Sequence, residues 1–151
     1  MDRNFITQFS LSASPSQVFP LLCPVREHDW IPTWRAQIVH SHSGLAELDC
    51  VFITQSPSDG ERTWVCTRFE PSDAIEYTAF STLGYVMHLT IALEAQGEGG
   101  TNVSWSRRFI AVNGEGKAWI DAIPSPRMAE ATGALAKLLE YYLVNGSMLR
   151  S

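Results

Sequence analysis

From about residue 36 to residue 112 the apolar residues alternate with polar ones in six successive runs, and only one later stretch has a long helical period. A period of two sends successive side chains to opposite faces of an extended chain, so these runs predict strands that each own one apolar face. They fall at 36–43, 50–56, 63–70, 74–81, 85–95 and 102–112. The separators are turn formers: Gly44, Pro57-Ser58-Asp59-Gly60, Pro71-Ser72-Asp73, Leu83-Gly84 and Gly97-Glu98-Gly99-Gly100. Connections this short join antiparallel neighbours, and the region reads as a meander of hairpins. A further strand is expected near the start, where Phe5, Thr7, Phe9 and Leu11 alternate with Ile6, Gln8 and Ser10.

Folding each hairpin about its turn assigns faces, because a slip of one residue would invert them. One face collects Cys50, Phe52 and Thr54, then Trp64, Cys66 and Arg68, then Ile75, Tyr77 and Ala79. It continues through Tyr85, Met87, Leu89, Ile91 and Leu93 to Val103, Trp105, Arg107 and Phe109. The other face holds Thr67, Glu76, Thr78, His88, Thr90, Glu94, Ser104, Ser106 and Arg108 and is expected to meet solvent, despite interruptions at Val65, Phe80 and Ile110. A sheet with one apolar face needs a cover. The stretch from Ser125 to about Asn145 is the element long enough to supply it. Ser125 is placed to cap, Pro126 suits the first helical position, and Asn145-Gly146 supplies a left-handed stop. Met128, Ala131, Thr132, Leu135, Leu138, Leu139 and Tyr142 form its apolar stripe, opposite Glu130, Lys137 and Glu140. The fold class is α+β, a curved antiparallel seven-stranded sheet wrapped around a long C-terminal helix.

Between the first strand and the meander, Ser14-Pro15-Ser16-Gln17 is a capping-box start for a short helix that Pro20 kinks and Pro24 ends. The segment Cys23-Pro24-Val25-Arg26-Glu27-His28-Asp29-Trp30-Ile31-Pro32-Thr33-Trp34 is read as irregular or briefly helical, and residues 113–123 as a loop and short helix. That segment, the order of elements, and Gly100-Thr101-Asn102-Val103-Ser104-Trp105 resemble the SRPBCC superfamily, the START, Bet v 1 and polyketide-cyclase-like group, in its uncharacterised bacterial members. The resemblance covers nearly the whole chain. It implies the helix-grip fold and a cavity between sheet and long helix, and it transfers no catalytic residue. Its members carry lipids, bind hormones, cyclise polyketides or assist chaperones.

The 151 residues read as a single SRPBCC-like domain, 1–151. A formal charge of -5 with scattered arginines argues against a nucleic-acid partner and against acidic lipid surfaces. No basic start followed by an apolar block suggests a signal peptide, and no stretch is apolar enough for membrane insertion. Cys23, Cys50 and Cys66 are odd in number and lack paired spacing, which fits reduced, inert thiols and a cytoplasmic setting. His40 and His42 share a strand face, but a metal needs a third ligand and none is evident, so neither a metal nor a cofactor is expected. No phosphate-binding or dinucleotide fingerprint is present. The oligomeric state stays open between monomer and homodimer.

Small residues on a buried helix face leave space where large ones fill it. Met128, Ala131 and Thr132 therefore mark the N-terminal half of the last helix as the roof of a hollow, while Leu135, Leu138, Leu139 and Tyr142 pack on the sheet. Candidate ligand-binding residues are Trp64, Tyr77, Met87, Trp105 and Trp119 as walls, and Met128, Ala131 and Leu135 on the helix. Trp30 and Trp34 are read as lids at the mouth, and Arg68 and Arg107 as anchors for an acidic or polar head group, since a buried guanidinium needs a partner. Arg26 and Glu27 are read as an ion pair. The expected function is a binding module for a hydrophobic or amphipathic small molecule, a lipid or a polyketide-like aromatic. One alternative is a cyclase, dehydratase or hydrolase that uses a polar residue of the same cavity, with Glu27 or His28 as acid or base. Another is a chaperone-assisting interaction protein with a filled core and an exposed apolar patch.

Overall fold

The structure, a computed structural model, describes residues 2–150. β1 (Asp2–Leu11) is followed by α1 (Pro15–Val18), which tightens into a 3₁₀ turn at Phe19–Leu21, and by a second 3₁₀ turn at Arg26–Asp29. The meander then runs β2 (Ala36–His40), β3 (Val51–Ser56), β4 (Gly60–Glu70), β5 (Ala74–Ser81), β6 (Tyr85–Gln96) and β7 (Gly100–Ala111). Two helices close the chain, α2 (Gly114–Asp121) and α3 (Arg127–Asn145). The strands form one antiparallel sheet in the order β1-β7-β6-β5-β4-β3-β2. This is the expected α+β helix-grip arrangement.

Local chemistry explains most boundaries. Ser14 and Gln17 make the reciprocal capping box at α1, with Gln17 Oε1 accepting from Ser14 N at 3.0 Å. The β6–β7 turn places Gly97 and Gly99 at φ 59° and 81°, a left-handed region that favours glycine. Asn113 caps α2 by accepting from Gly116 N at 2.9 Å. Gly116 itself abuts Gly84 O so closely that a Cβ would lie 1.7 Å from it, which docks α2 against the β5–β6 turn. At the end of α3, Gly146 takes φ 70° and donates to Tyr142 O at 2.8 Å. The start of α3 differs from expectation. The helix begins at Arg127 with Pro126 as the cap residue and no side-chain cap bond, and Arg127 N instead donates to Pro124 O.

The hairpin register follows the sequence at nearly every rung. Phe52 faces Trp64, Trp64 faces Ala79, Ala79 faces Met87, Leu89 faces Arg107 and Ile91 faces Trp105. Besides a register shift between Ile38 and His40 where β2 pairs with β3, the exception is in β4. A bulge between Cys66 and Arg68 leaves Thr67 as the extra residue, so the pairing resumes as Arg68 with Glu76 and Phe69 with Ile75. Arg68 therefore points away from the core, where it is exposed and paired to Glu70 at 2.7 Å. Its expected place on the apolar face is corrected.

The connection from β1 to β2 has to travel from one edge strand to the other. It is tied down on the way by Thr101 Oγ1 donating to Ala13 O at 2.6 Å and Tyr77 Oη donating to Leu22 O at 2.7 Å. The buried core runs along this connection and the concave sheet face, from Val18, Leu22 and Trp30 to Phe52, Ile75, Met87, Ile91 and Phe109, with Leu139 of α3.

Candidate functional site

The elements enclose a cavity of about 370 Å³ between the concave face and α3. Its floor is built by strand alternation: Phe52 from β3, Arg62 and Trp64 from β4, Tyr77 from β5, Met87, Leu89 and Ile91 from β6, and Trp105 and Arg107 from β7. Ala131 and Leu135 of α3 form the roof, and Glu27, Ile31, Thr33 and Trp34 close one side. Phe52 and Trp64 stack with centroids 5.4 Å apart, and Tyr77 meets both edge to face. The walls are thus mostly apolar, aromatic and aliphatic side chains together, with Glu27, Thr33, Asp59, Arg62 and Arg107 set among them.

Arg107 is the sharpest of these groups. Nη1 donates to Thr132 Oγ1 at 2.5 Å and reaches Met128 O at 3.5 Å, and the guanidinium lies 5.8 Å from the Trp105 ring centroid. No carboxylate pairs with it among the described residues. Burial, aided by the nearby positive charge of Arg62, lowers its pKa to about 10. Arg62 is better provided for, donating from Nε to Tyr85 Oη at 2.9 Å and standing 3.6 Å from Asp59. Arg62, Arg107, Asp59 and Ala131 also line an adjoining hollow of about 340 Å³ that includes Arg127 and Met128. Three guanidinium groups and one carboxylate therefore frame this end of the site.

At the other side, Glu27 stands on the second 3₁₀ turn. Its carboxyl has no hydrogen bond or ion pair among the described residues, and desolvation raises its pKa from 4.5 to about 8. The expected Arg26–Glu27 pair is not formed, because Arg26 Nε donates to Asp29 at 2.9 Å. Two indoles hold the segment that carries Glu27: Trp30 Nε1 donates to Leu21 O at 2.9 Å and Trp34 Nε1 to Pro24 O at 2.8 Å. A third indole, Trp105 Nε1, is buried without a hydrogen-bond partner among the described residues.

Of the candidate residues, Trp34, Trp64, Tyr77, Met87, Trp105, Arg107, Ala131 and Leu135 meet around the cavity. Trp30 does not. It is wholly buried and braces the 3₁₀ segment, so it is a packing residue and not a lid. Trp119 stacks on Tyr85 at 4.1 Å and donates to Ser58 O, outside the cavity wall. Met128 faces the adjoining hollow, and Arg68 faces solvent. Sequence reasoning missed Arg62 and Asp59, because the fourth strand was started at residue 63, and one more step of two from Trp64 reaches Arg62. Elsewhere, the His40 and His42 rings lie 5.0 Å apart, and no group of three metal-ligating side chains occurs among the described residues. No helix among them is long and apolar enough to cross a membrane.

No protein-family model matches the chain, and no curated protein sequence matches it. Solved structures do. Ara h 8.0201 is similar over 95% of this chain and 99% of its own, at 16% identity and a TM-score of 0.67. Norcoclaurine synthase from Thalictrum flavum, solved with dopamine and hydroxybenzaldehyde, is similar over 92% of this chain and 87% of its own, at 14% identity and a TM-score of 0.65. DynU16, from the dynemicin biosynthetic locus, matches 95% of this chain and 48% of its own, at 15% identity and a TM-score of 0.63. Likeness at these identities is one of fold. The chain has the Bet v 1-like helix-grip fold.

Proposed function

We propose that the protein encloses an apolar or amphipathic small molecule bearing an acidic group between the sheet and α3, as one domain acting in the cytoplasm. The observation that carries this reading is Arg107. A guanidinium so desolvated is costly unless something neutralises it, and its present partners are a hydroxyl and a carbonyl. An anionic head group at Arg107, with an aromatic body against Trp64, Tyr77 and Phe52, satisfies both the charge and the walls. A cavity of 370 Å³ falls in the size range of small-molecule sites, about 300–1,000 Å³. Norcoclaurine synthase, similar in fold, was solved with two small aromatic molecules, which supports the reading by analogy.

Calorimetric titration with 4-benzylbenzoate, an apolar aromatic acid, tests it. The expected result is binding by the wild type and a loss of roughly tenfold or more in Arg107→Met. Unchanged or tighter binding by the variant counts against the anchor.

The enzyme reading gains from one observation. A catalyst needs a titratable group inside the cavity, and Glu27 is such a group, with its pKa moved to about 8. The docking-protein reading requires a filled core, and the hollow speaks against it.

A further inference from the structure

We infer that Glu27 acts as a protonated acid donating a hydrogen bond into the cavity, so that the ligand carries a neutral oxygen acceptor, a carbonyl or hydroxyl, besides its anionic end at Arg107. This rests on the binding reading above and adds the ligand's second polar group.

The position of Glu27 is not accidental to a mobile loop. Its own N–H donates to Cys23 O at 2.8 Å, its carbonyl accepts from Trp30 and Ile31, and the Trp30 and Trp34 indoles clamp the flanking backbone. The polar side chains around Glu27 are committed to other partners. Tyr77 spends its hydroxyl on Leu22 O. Arg26 and Asp29 bond each other, and the His28 ring lies against Val25 O. Cys23, Cys50 and Cys66 are free, buried thiols. Arg62 is offset by Asp59, and α3 contributes only Ala131 and Leu135 to the cavity wall. No cation adjoins the carboxyl to hold it ionised, which is why burial alone governs it.

The charge of the cavity selects between possible ligands. With Glu27 protonated and Arg62 offset, the remaining charge is the positive one on Arg107. A ligand ammonium would be repelled by it, whereas an anion neutralises it and, by its own negative charge, favours the neutral form of Glu27 still further. The polar groups that the cavity offers a ligand at its two ends are then donors, the Arg107 guanidinium with N–H groups beyond those spent on Thr132 and Met128, and the Glu27 hydroxyl. Tyr77, Leu89 and Arg107 lie directly opposite one another on the adjacent strands β5, β6 and β7. Tyr77, whose ionisation Glu27 opposes, is thus two strand spacings from Arg107, roughly 10 Å. The matching ligand is an oxygenated aromatic acid with acid and acceptor separated by about one or two rings.

The test compares 4-benzoylbenzoate with 4-benzylbenzoate, which differ only in the ketone oxygen, by calorimetry on wild type and Glu27→Gln between about pH 6 and pH 10. The wild type is expected to prefer the ketone by about tenfold at low pH and to lose that preference as pH rises through about 8. The glutamine variant, whose amide still donates, is expected to keep the preference across the whole range. Hydrogen bonding with Cys66 holds the Cys50 thiol below its ordinary range, so it also titrates in this region, and the glutamine arm assigns the transition to Glu27. Equal binding of both acids by the wild type, with Arg107→Met weakening both, overturns the acid role and leaves the anchor standing. A preference that grows above pH 8 overturns it too. Binding of neither acid overturns the cavity reading and this inference with it. Should Glu27→Gln fail to fold, the pH series is repeated in Cys50→Ser, where a preference still lost through about pH 8 supports Glu27 and one kept throughout overturns its role.

Discussion

Arg107 on β7 and Thr132 on α3 are joined across the sheet–helix interface by a hydrogen bond of 2.5 Å, and Thr132 is fully buried. Thr132, next in sequence to the Ala131 that lines the cavity, therefore holds the cavity's cation in place from the helix. Thr132→Val keeps the shape and removes the acceptor. It is expected to cost about 1–3 kcal/mol in urea denaturation, because a buried donor loses its partner. In an Arg107→Met background the same change is expected to cost far less, since the donor is gone; equal costs in both backgrounds would show the two residues to be uncoupled.

Glu27 makes stability depend on pH in an unusual direction. Its pKa is about 8 in the folded chain against 4.5 ordinarily, so between those values the native state holds the extra proton. The folded state is favoured fully below about pH 4.5, and that advantage is lost as pH rises through about 8. Glu27→Gln carries no such group. Its stability relative to wild type is expected to increase from about pH 4.5 to pH 8 and then level, by a total on the order of 2–4 kcal/mol, in denaturation curves taken across that range. A constant difference between the two proteins would show that the carboxyl titrates normally.

Within α3 the adjacent leucines differ. Leu139 is buried at 1% exposure, while Leu138 is half-buried. Leu139→Ala is expected to cost about 2–5 kcal/mol and Leu138→Ala roughly half as much, measured by thermal or urea unfolding. The reverse order would mean that the helix is rotated about its axis relative to the sheet.

Ala131 lies over the cavity with no side chain beyond Cβ to fill it. Leucine is nearly as good a helix former as alanine, so Ala131→Leu is expected to leave the unfolding midpoint close to that of wild type. The added atoms are expected to reach into the cavity that Ala131 lines. Binding of 4-benzylbenzoate is expected to weaken about tenfold or more by calorimetry, and a variant that binds as well as wild type would place the ligand elsewhere.

How far the site was legible depends on which rule positions each residue. Trp64, Tyr77, Met87, Trp105 and Arg107 follow from hairpin arithmetic, because their strands run without interruption through those rungs. Arg68 did not follow, since the bulge at Thr67 reverses every side chain beyond it. A signal was present: Cys66 and Phe69 are three apart, and strict alternation does not place both on one face. Trp30 and Trp119 were assigned to the cavity on size and polarity alone. Their indoles instead found the Leu21 and Ser58 carbonyls, partners that no sequence spacing reveals.

By itself the sequence determined the meander, its apolar face and the helix that covers it, because these rest on periodicity and turn chemistry acting over a few residues. Tertiary structure alone decided the chemistry of the cavity. Glu27 belongs to a 3₁₀ turn without a usable period, and its carboxyl stays unpaired because Asp29 takes Arg26 and two indoles hold the turn in place. Arg62 is neutralised by Asp59 across the β3–β4 turn, and Arg107 is left for something else. Which charges are matched inside a desolvated space depends on distances of a few ångströms between distant parts of the chain, and those distances arise only when sheet, 3₁₀ turn and helix pack together.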